Sequence, residues 1–224
     1  MIVHVNGTDL AVERTGTGRP LLMVHGNGED HTIFDEAVAV LKDDFDCVCP
    51  DSRGHGNSAP VSEYHYEDMA EDMVRLIEHL DLRGVVFYGF SDGGIVGLLA
   101  ASRCDRITTL IVSSANVTPG GVAPWIRLLF RFSYLRKRDP LVRLMLTEPH
   151  ITDEVLGRIR ARTLVLAGSR DMIREKQTRH IADAIPGAAL RILDGEDHGS
   201  YIVHSEKIAQ ISRTFVREEQ RTER

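Results

Sequence analysis

The chain has 224 residues, of which 42% are hydrophobic and 27% are charged, and its net charge at neutral pH is -6. This length is sufficient for one domain with a substantial core. The modest negative charge gives no general attraction to nucleic acid or to anionic membranes, and no segment approaches the roughly 20 apolar residues that a membrane-spanning helix needs. We therefore expect a single domain over residues 1–224, with neither nucleic acid nor a membrane as a partner.

The amino-terminal residues and the cysteines predict the cellular location of the protein. Residues 1–7 contain no basic start and no long apolar segment, so no secretory signal is predicted. The three cysteines, Cys47, Cys49 and Cys104, are an odd number that suits a reducing compartment. Cys47 and Cys49 lie two apart in a strand pattern, which favours core packing over a metal pair lacking further ligands. The sequence predicts a cytoplasmic protein without a metal site.

Strand and helix patterns alternate along the chain, which is typical of a mostly parallel sheet covered by helices on both faces. The first two strands are predicted to form a hairpin around residues 6–9. Strands are predicted at 2–6, 10–15, 20–25, 45–49, 85–88, 107–113, 163–167 and 189–193. Helices are predicted at 30–41, 66–80, 95–101, 174–185 and 200–217. Residues 220–224 are expected to be a frayed tail.

A short glycine-rich sequence joins the strand run 85–88 to the helical run 95–101, and it reads Gly89-Phe90-Ser91-Asp92-Gly93. A serine on such a sharp strand-to-helix turn has an exposed hydroxyl, and the flanking glycines let the backbone close without Cβ clashes. A chance glycine-rich turn is the alternative interpretation, which the strand before and the helix after make less favourable. The pattern indicates Ser91 as a nucleophile.

A serine nucleophile needs a base, and the base needs an orienting acid. When the serine lies on a strand-to-helix turn of this kind, the acid and the histidine follow it in the chain, each after the end of a later strand. The strand at 163–167 is followed by a polar turn that contains Asp171, and the strand at 189–193 is followed by a loop that contains His198. We therefore predict Asp171 as the acid and His198 as the base. Asp194 and Asp197 are rival acids, but both are almost adjacent to His198 in sequence, whereas an acid on a separate strand end can approach the imidazole from the side opposite the serine. The end of the strand at 107–113 is another possible place for the acid, but the candidate there is Asn116, whose amide cannot carry the negative charge of a carboxylate.

A second glycine-rich turn follows the strand at 20–25 and reads His25-Gly26-Asn27-Gly28. Backbone N–H groups aimed at the developing negative charge are usually the largest single catalytic contribution. We predict that the N–H groups of Asn27 and Asp92 form such an oxyanion hole. A plain turn into the next helix is the alternative interpretation. A phosphate-binding loop fits less well, because the glycine spacing and the lysine of a nucleotide loop are missing.

Residues 116–150 interrupt the alternation and are predicted to form a short cap over the site. Five apolar residues lie at helical spacing in this segment, and they either pack on the domain or line an acyl pocket: Trp125, Leu128, Leu129, Phe132 and Leu135. The candidate pocket residues are His25, Trp125, Leu128 and Leu129. The segment also holds six basic and two acidic residues. These charges either attract anionic substrates or belong to a solvated helix face.

Five stretches in this order and spacing resemble the α/β-hydrolase superfamily: residues 25–28, 51–58, 89–94, 168–171 and 197–199. The Ser91-Asp92-Gly93-Gly94 variant is similar to small ester hydrolases related to valacyclovir hydrolase and to enol-lactonases. The resemblance implies an α/β-hydrolase fold with an eight-stranded, mostly parallel sheet. It also implies that Asp51 and Arg53 tie neighbouring loops together without a chemical role. The stretch between the sixth and seventh strands is shorter than in relatives, which weakens any inference about the substrate.

The expected activity is hydrolysis of a small-molecule carboxylic ester through an acyl-enzyme, without a cofactor. A lactonase, a thioesterase, a carbon–carbon bond hydrolase or a perhydrolase could use the same residues. A ligand receptor with the same fold is a less favoured alternative, because a receptor needs no activated serine. The sequence leaves open whether the chain forms a homo-oligomer.

Overall fold

The computed structural model describes residues 1–222, and its strands form one sheet in the order β1-β2-β4-β3-β5-β6-β7-β8. The strands are β1 (Ile2–Val5), β2 (Thr8–Gly16), β3 (Arg19–Val24), β4 (Phe45–Pro50), β5 (Val85–Phe90), β6 (Ile107–Ser113), β7 (Arg162–Gly168) and β8 (Ala189–Leu193). The β1–β2 and β2–β4 pairs are antiparallel, and the other five pairs are parallel. The predicted eight-stranded, mostly parallel sheet is confirmed.

The opening hairpin turns more tightly than the sequence predicted. Only Asn6 and Gly7 separate the two strands, and their φ angles are 46° and 73°. Two-residue hairpin turns with positive φ at both positions match the right-handed twist of the flanking strands, which favours Asn-Gly. The register that follows places Val3 and Val5 in the core.

Helices cover both faces of the sheet. They are α1 (Asp35–Leu41), α2 (Tyr66–His79), α3 (Asp92–Ala101), α4 (Pro124–Lys137), α5 (Pro140–Thr147), α6 (Asp153–Gly157), α7 (Glu175–Ala184) and α8 (Lys207–Thr222). Side chains alternate along β5: Val85 and Phe87 pack into one core layer with α2, α3 and α7, whereas Val86 and Tyr88 pack into the other with α1 and α8. The central strand is therefore buried on both sides.

Two predicted helices begin later than the sequence suggested. Residues 31–34 form a 3₁₀ turn before α1, and the Asp30 carboxylate caps it by accepting the Thr32 N–H at 2.9 Å. Residues 200–204 form turns, and His204 has a φ of 48°, so α8 starts only at Lys207. Part of the predicted tail, to Thr222, is helical, and residues 223 and 224 lie outside the described residues.

The loop after β4 is held by two acidic side chains. The buried Asp51 carboxylate accepts hydrogen bonds from the backbone N–H groups of His31 and Asn57 at 2.9 and 2.8 Å. The Arg53 guanidinium donates to both oxygens of Asp72 on α2, at 2.6 and 2.5 Å. These contacts connect the loop to its neighbours and to a helix, and neither side chain borders the site described below.

The three cysteines are free and buried, and burial raises the pKa of the Cys47 thiol to about 12. The burial of Cys47 and Cys49 agrees with their interpretation as core residues. Within residues 1–222, no helix combines the length and the apolar character needed to cross a membrane.

Candidate active site

Four parallel strands present loops at one edge of the sheet. The loops after β3, β5, β7 and β8 carry Asn27, Ser91, Asp171 and His198, respectively. Because the carboxyl ends of parallel strands lie at the same edge, residues that are distant in sequence meet there.

The turn between β5 and α3 is strained at Ser91, whose φ and ψ are 53° and -114°. The flanking glycines are required by close backbone approaches. A Cβ atom at Gly89 would lie 2.2 Å from the Gly93 carbonyl oxygen, and one at Gly93 would lie 2.0 Å from the Val24 carbonyl oxygen. A non-glycine residue at positive φ is costly unless the surrounding structure imposes it, so this turn is built to present the Ser91 side chain.

His198 lies between Ser91 and Asp171. Its Nε2 is 3.1 Å from the Ser91 Oγ, and its Nδ1 is 2.7 Å from an Asp171 carboxylate oxygen. The Asp171 side chain is almost fully buried, and the His198 side chain is partly exposed. The structure therefore brings the three sequence-predicted residues into one hydrogen-bonded chain.

Two further groups hold the Asp171 carboxylate. The Ser114 hydroxyl donates to it at 2.5 Å, and the Ile173 backbone N–H donates at 2.8 Å. Burial would raise the pKa of Asp171, but the hydrogen bonds from His198, Ser114 and Ile173 outweigh burial and lower this pKa below its usual value. Asp171 is therefore an anion at neutral pH. Sequence reasoning missed Ser114, whose only signal is its position directly after β6.

The two rival acids do not contact the imidazole of His198. One Asp197 carboxylate oxygen accepts the backbone N–H groups of Gly199 and Ser200 at 3.1 and 3.0 Å, which fixes the turn after β8. These backbone hydrogen bonds lower the pKa of Asp197. Asp194 faces the Ser169 hydroxyl, at 3.4 Å.

The loop after β3 packs directly against Ser91. A Cβ atom at Gly26 would lie 2.7 Å from a Glu29 carboxylate oxygen and 3.1 Å from the Ser91 Cβ, so this position leaves little room for a side chain. The Asn27 side-chain amide donates to the Asp92 carboxylate at 2.8 Å, and the Tyr66 hydroxyl donates to the other oxygen at 2.8 Å. Burial raises the pKa of Asp92. These side-chain contacts lock together the two segments that were predicted to supply oxyanion donors.

The backbone N–H groups of Asn27 and Asp92 themselves donate to no acceptor among residues 1–222. Backbone N–H groups in protein interiors are nearly always paired. A pair of unpaired donors beside a serine is therefore available to bind an oxygen atom of a ligand.

The prediction that His25 lines a substrate pocket is wrong. Its ring is buried, its Nδ1–H donates to the Gly26 carbonyl at 2.8 Å, and its Nε2 accepts the Ser52 N–H at 2.9 Å. Burial lowers the pKa of His25 to about 4, so the ring is neutral. His25 is a structural link between the loops after β3 and β4.

The predicted roles of Trp125, Leu128 and Leu129 in a pocket are also wrong. Their side chains on α4 are 64%, 52% and 56% exposed, so they neither line a pocket nor pack on the domain. The opposite side of α4 approaches the site. The narrow cavity beside Ser91 is lined by Tyr66, Asp92, Asn116, Val122, Phe130, Met145, Glu148, Met172 and Ile173.

The six basic residues of the segment 116–150 lie outside this cavity. Arg131, Arg136, Lys137 and Arg138 are exposed. Arg143 borders a separate, wider cavity of about 440 Å³ between α5 and residues 62–65. None of these basic side chains therefore borders the cavity beside Ser91.

A mostly parallel eight-stranded sheet with a serine on the turn after a central strand is the architecture of the α/β hydrolases. The sequence model of the alpha/beta hydrolase fold family matches residues 19–143, which is more than half of the chain. The chain belongs to this family.

Curated relatives are similar over part of their length. An uncharacterized protein of Mycobacterium tuberculosis is 30% identical over 159 residues, which covers 69% of this chain and 45% of that protein. The 3-oxoadipate enol-lactonase 2 of Acinetobacter baylyi is 30% identical over 110 residues, covering 48% of this chain and 41% of that enzyme. The chain thus spans less than half the length of these relatives.

Solved structures match nearly end to end. A thermophilic esterase from Thermogutta terrifontis has a TM-score of 0.77 and 25% identity, covering 94% of each chain. The enol-lactonase from Burkholderia xenovorans has a TM-score of 0.80 and 22% identity, covering 96% of this chain and 98% of that one. The similarity to the enol-lactonase structure, at 22% identity, shows a shared fold.

Proposed function

We propose that this protein hydrolyses carboxylic esters of small molecules through an acyl-enzyme, with Ser91 as nucleophile, His198 as base and Asp171 as orienting acid. The observation that carries the proposal is the continuous hydrogen-bonded chain through the imidazole, 3.1 Å to the Ser91 Oγ and 2.7 Å to Asp171. A serine hydroxyl is a weak nucleophile at neutral pH, and an adjacent base that is held by an anion is what activates it.

In the first half-reaction, His198 Nε2 accepts the Ser91 proton while the Ser91 Oγ forms a bond to the ester carbonyl carbon. The negative charge moves to the carbonyl oxygen, and the unpaired N–H groups of Asn27 and Asp92 are proposed to receive it. Asp171 stabilises the imidazolium that forms. The imidazolium then protonates the leaving alcohol as the carbon–oxygen bond breaks.

In the second half-reaction, His198 removes a proton from water as the water oxygen bonds to the acyl carbon. The bond between that carbon and the Ser91 Oγ then breaks, and the imidazolium returns the proton to the Oγ as the acid leaves. Every step is a proton transfer, an addition or an elimination, so the residues of the chain suffice and no cofactor is required. A lactone is the second candidate substrate, because two 3-oxoadipate enol-lactonases of Acinetobacter baylyi are 30% and 31% identical to this chain over the matched regions.

The cavity beside Ser91 must widen to admit a substrate. Its volume is about 10 Å³, which is room for roughly one water molecule. The side chains of Phe130 on α4 and Met145 on α5 line it, and we propose that these two helices act as a cap whose displacement opens the site. The wider cavity on the other side of Glu148 gives the displaced cap or the substrate additional space.

Labelling with a fluorophosphonate probe tests the proposal, because only an activated serine reacts at a useful rate. We expect a single labelled peptide that carries the probe on Ser91. Parallel assays with p-nitrophenyl esters, lactones, thioesters and β-diketones then identify the bond that is cleaved. An unlabelled protein would contradict the proposal and favour a receptor with the same fold.

The Ser114→Ala variant is expected to lower kcat about tenfold to a hundredfold, since a hydrogen bond to a charged group contributes about 1.5–3 kcal/mol. KM should change little, because Ser114 contacts Asp171 and does not border the cavity. Steady-state ester hydrolysis measures both constants. Ser212→Ala is the matched control: its hydroxyl is buried on α8 and has no hydrogen-bond partner among the described residues. An unchanged kcat in Ser114→Ala would show that Asp171 does not depend on this hydroxyl.

A further inference from the structure

The outward side of α4 is an unpartnered apolar face. Five side chains on it are between 52% and 64% exposed: Trp125, Leu128, Leu129, Phe132 and Leu135. They recur every three or four residues over the whole helix, so they form one continuous stripe. Monomeric proteins rarely leave so many large apolar side chains contiguous and exposed, and such a patch marks an interaction surface.

Cations accompany the stripe, and α4 contains no acidic residue. Arg131, Arg136 and Lys137 are exposed on this helix, and Arg138 is exposed directly after its last residue. The helix spacing places Arg136 within the apolar stripe and Arg131 at its edge. The opposite side of α4 points inward, where Phe130 borders the cavity beside Ser91. The outward face is thus apolar, aromatic and positively charged.

We propose that α4 lies flat on the surface of a lipid bilayer that contains anionic lipids. An interfacial helix of this kind has tryptophan, phenylalanine and leucine on one side, with lysine and arginine beside them to contact anionic headgroups. Tryptophan favours the headgroup level because its ring is amphipathic. With 14 residues, α4 is shorter than the roughly 17–25 residues of a spanning helix, so it binds the surface without crossing.

The charge on this face favours a lipid surface over a second copy of the chain. A symmetric contact between two copies would place the same patch on both sides, which brings the exposed cations of both α4 helices together. Like charges in apposition oppose such a dimer, whereas an anionic bilayer complements them. The proposal departs from the expectation of no membrane partner, which rested on the net charge of the whole chain.

The distribution of charge also orients the protein. The segment 116–150 carries six basic and two acidic residues, while the whole chain has a net charge of -6. The remainder of the molecule is therefore acidic and is repelled by an anionic surface, while α4 is attracted to it. Binding through α4 places the residues around Phe130, and hence the Ser91 cavity, next to the bilayer.

Trp125 is the only tryptophan in the chain, so its fluorescence reports on this face alone. The experiment mixes the full chain with vesicles of phosphatidylcholine and phosphatidylglycerol, and separately with vesicles of phosphatidylcholine only. With the anionic vesicles we expect the emission to shift to shorter wavelength, lipids brominated on the acyl chains to quench it, and the protein to float with the vesicles. Binding should weaken as salt is raised.

Two variants separate the contribution of the apolar side chains to vesicle binding from that of the cations. Each cation removed should weaken partitioning into anionic vesicles about fivefold, so the double variant Arg131→Gln/Arg136→Gln should partition about 25-fold more weakly than the wild type. The double variant Leu128→Asp/Phe132→Asp should abolish flotation. Arg160→Gln and Ile2→Asp are matched controls, because both residues are exposed away from α4. Thermal melting checks that every variant is folded.

Equal binding to both vesicle types, or binding that all variants retain, would overturn the proposal. A blue shift that depends on protein concentration without lipid, together with a larger particle in light scattering, would instead identify a second copy as the occupant. Ser91→Ala should bind vesicles as the wild type does, because α4 is intact in it. Membrane binding and ester hydrolysis can therefore fail independently.

Discussion

Replacing Ser91 with alanine is expected to abolish ester turnover, with a fall in kcat on the order of 10⁶. The hydroxyl is the only protein group in the proposed mechanism that forms a bond to the substrate carbonyl carbon. Without it, His198 has no nucleophile to deprotonate except water, and no acyl-enzyme can form. Hydrolysis of a p-nitrophenyl ester under saturating substrate measures the loss, and mass spectrometry should detect no fluorophosphonate adduct.

The Ser102→Ala variant is the control for this experiment. Ser102 follows the other end of α3, and its hydroxyl donates to the Leu99 carbonyl at 2.8 Å, away from the sheet edge that carries the site. Its turnover should equal that of the wild type. Wild-type turnover in Ser91→Ala would refute the assignment of the nucleophile, whichever bond the enzyme cleaves.

The positions of Ser91, Asp171 and His198 could be predicted because each follows a strong strand pattern. Once the alternation of strands and helices indicated a parallel sheet, the loops at the carboxyl ends had to share an edge. The glycines at 89 and 93 added a local requirement, since the backbone approaches there exclude any Cβ. Sequence therefore determined which side chains could meet, although not the distances between them.

The cap could be predicted as a helical segment but not in its orientation. The spacing of Trp125, Leu128 and Leu129 shows that one side of α4 is apolar, yet periodicity does not tell which surface covers that side. The structure turns it outward. Ser114 was missed for a similar reason: a serine after a buried strand acquires a role only through Asp171, which is 57 residues away in the chain.

Net charge is a weak guide to partners when charge is segregated along the chain. The value of -6 excluded an overall attraction to anionic surfaces. It did not exclude a local one, because electrostatic attraction between exposed charges decays within about 10 Å at ordinary ionic strength. A bilayer in contact with α4 therefore interacts more strongly with the cations of this helix than with the acidic groups on the far side of the molecule.

Replacing Asp171 with asparagine is expected to lower kcat by roughly 10⁴. The Asp171 carboxylate accepts the His198 Nδ1–H at 2.7 Å, which keeps Nε2 free to take the proton from Ser91. An amide presents to Nδ1 either an N–H group, which imposes the wrong tautomer, or an uncharged oxygen, which stabilises the imidazolium less. Both arrangements slow proton transfer, and steady-state ester hydrolysis measures the fall.

The Asp197→Asn variant provides the matched control, because it removes a negative charge next to His198 in sequence. One Asp197 oxygen accepts both the Gly199 and the Ser200 N–H, and the oxygen of an asparagine can keep those bonds. Turnover should therefore stay near that of the wild type. A large loss in Asp197→Asn with little loss in Asp171→Asn would reassign the acid. Comparable small losses in both variants would show that His198 is oriented without a carboxylate, which would contradict the proposed role of Asp171.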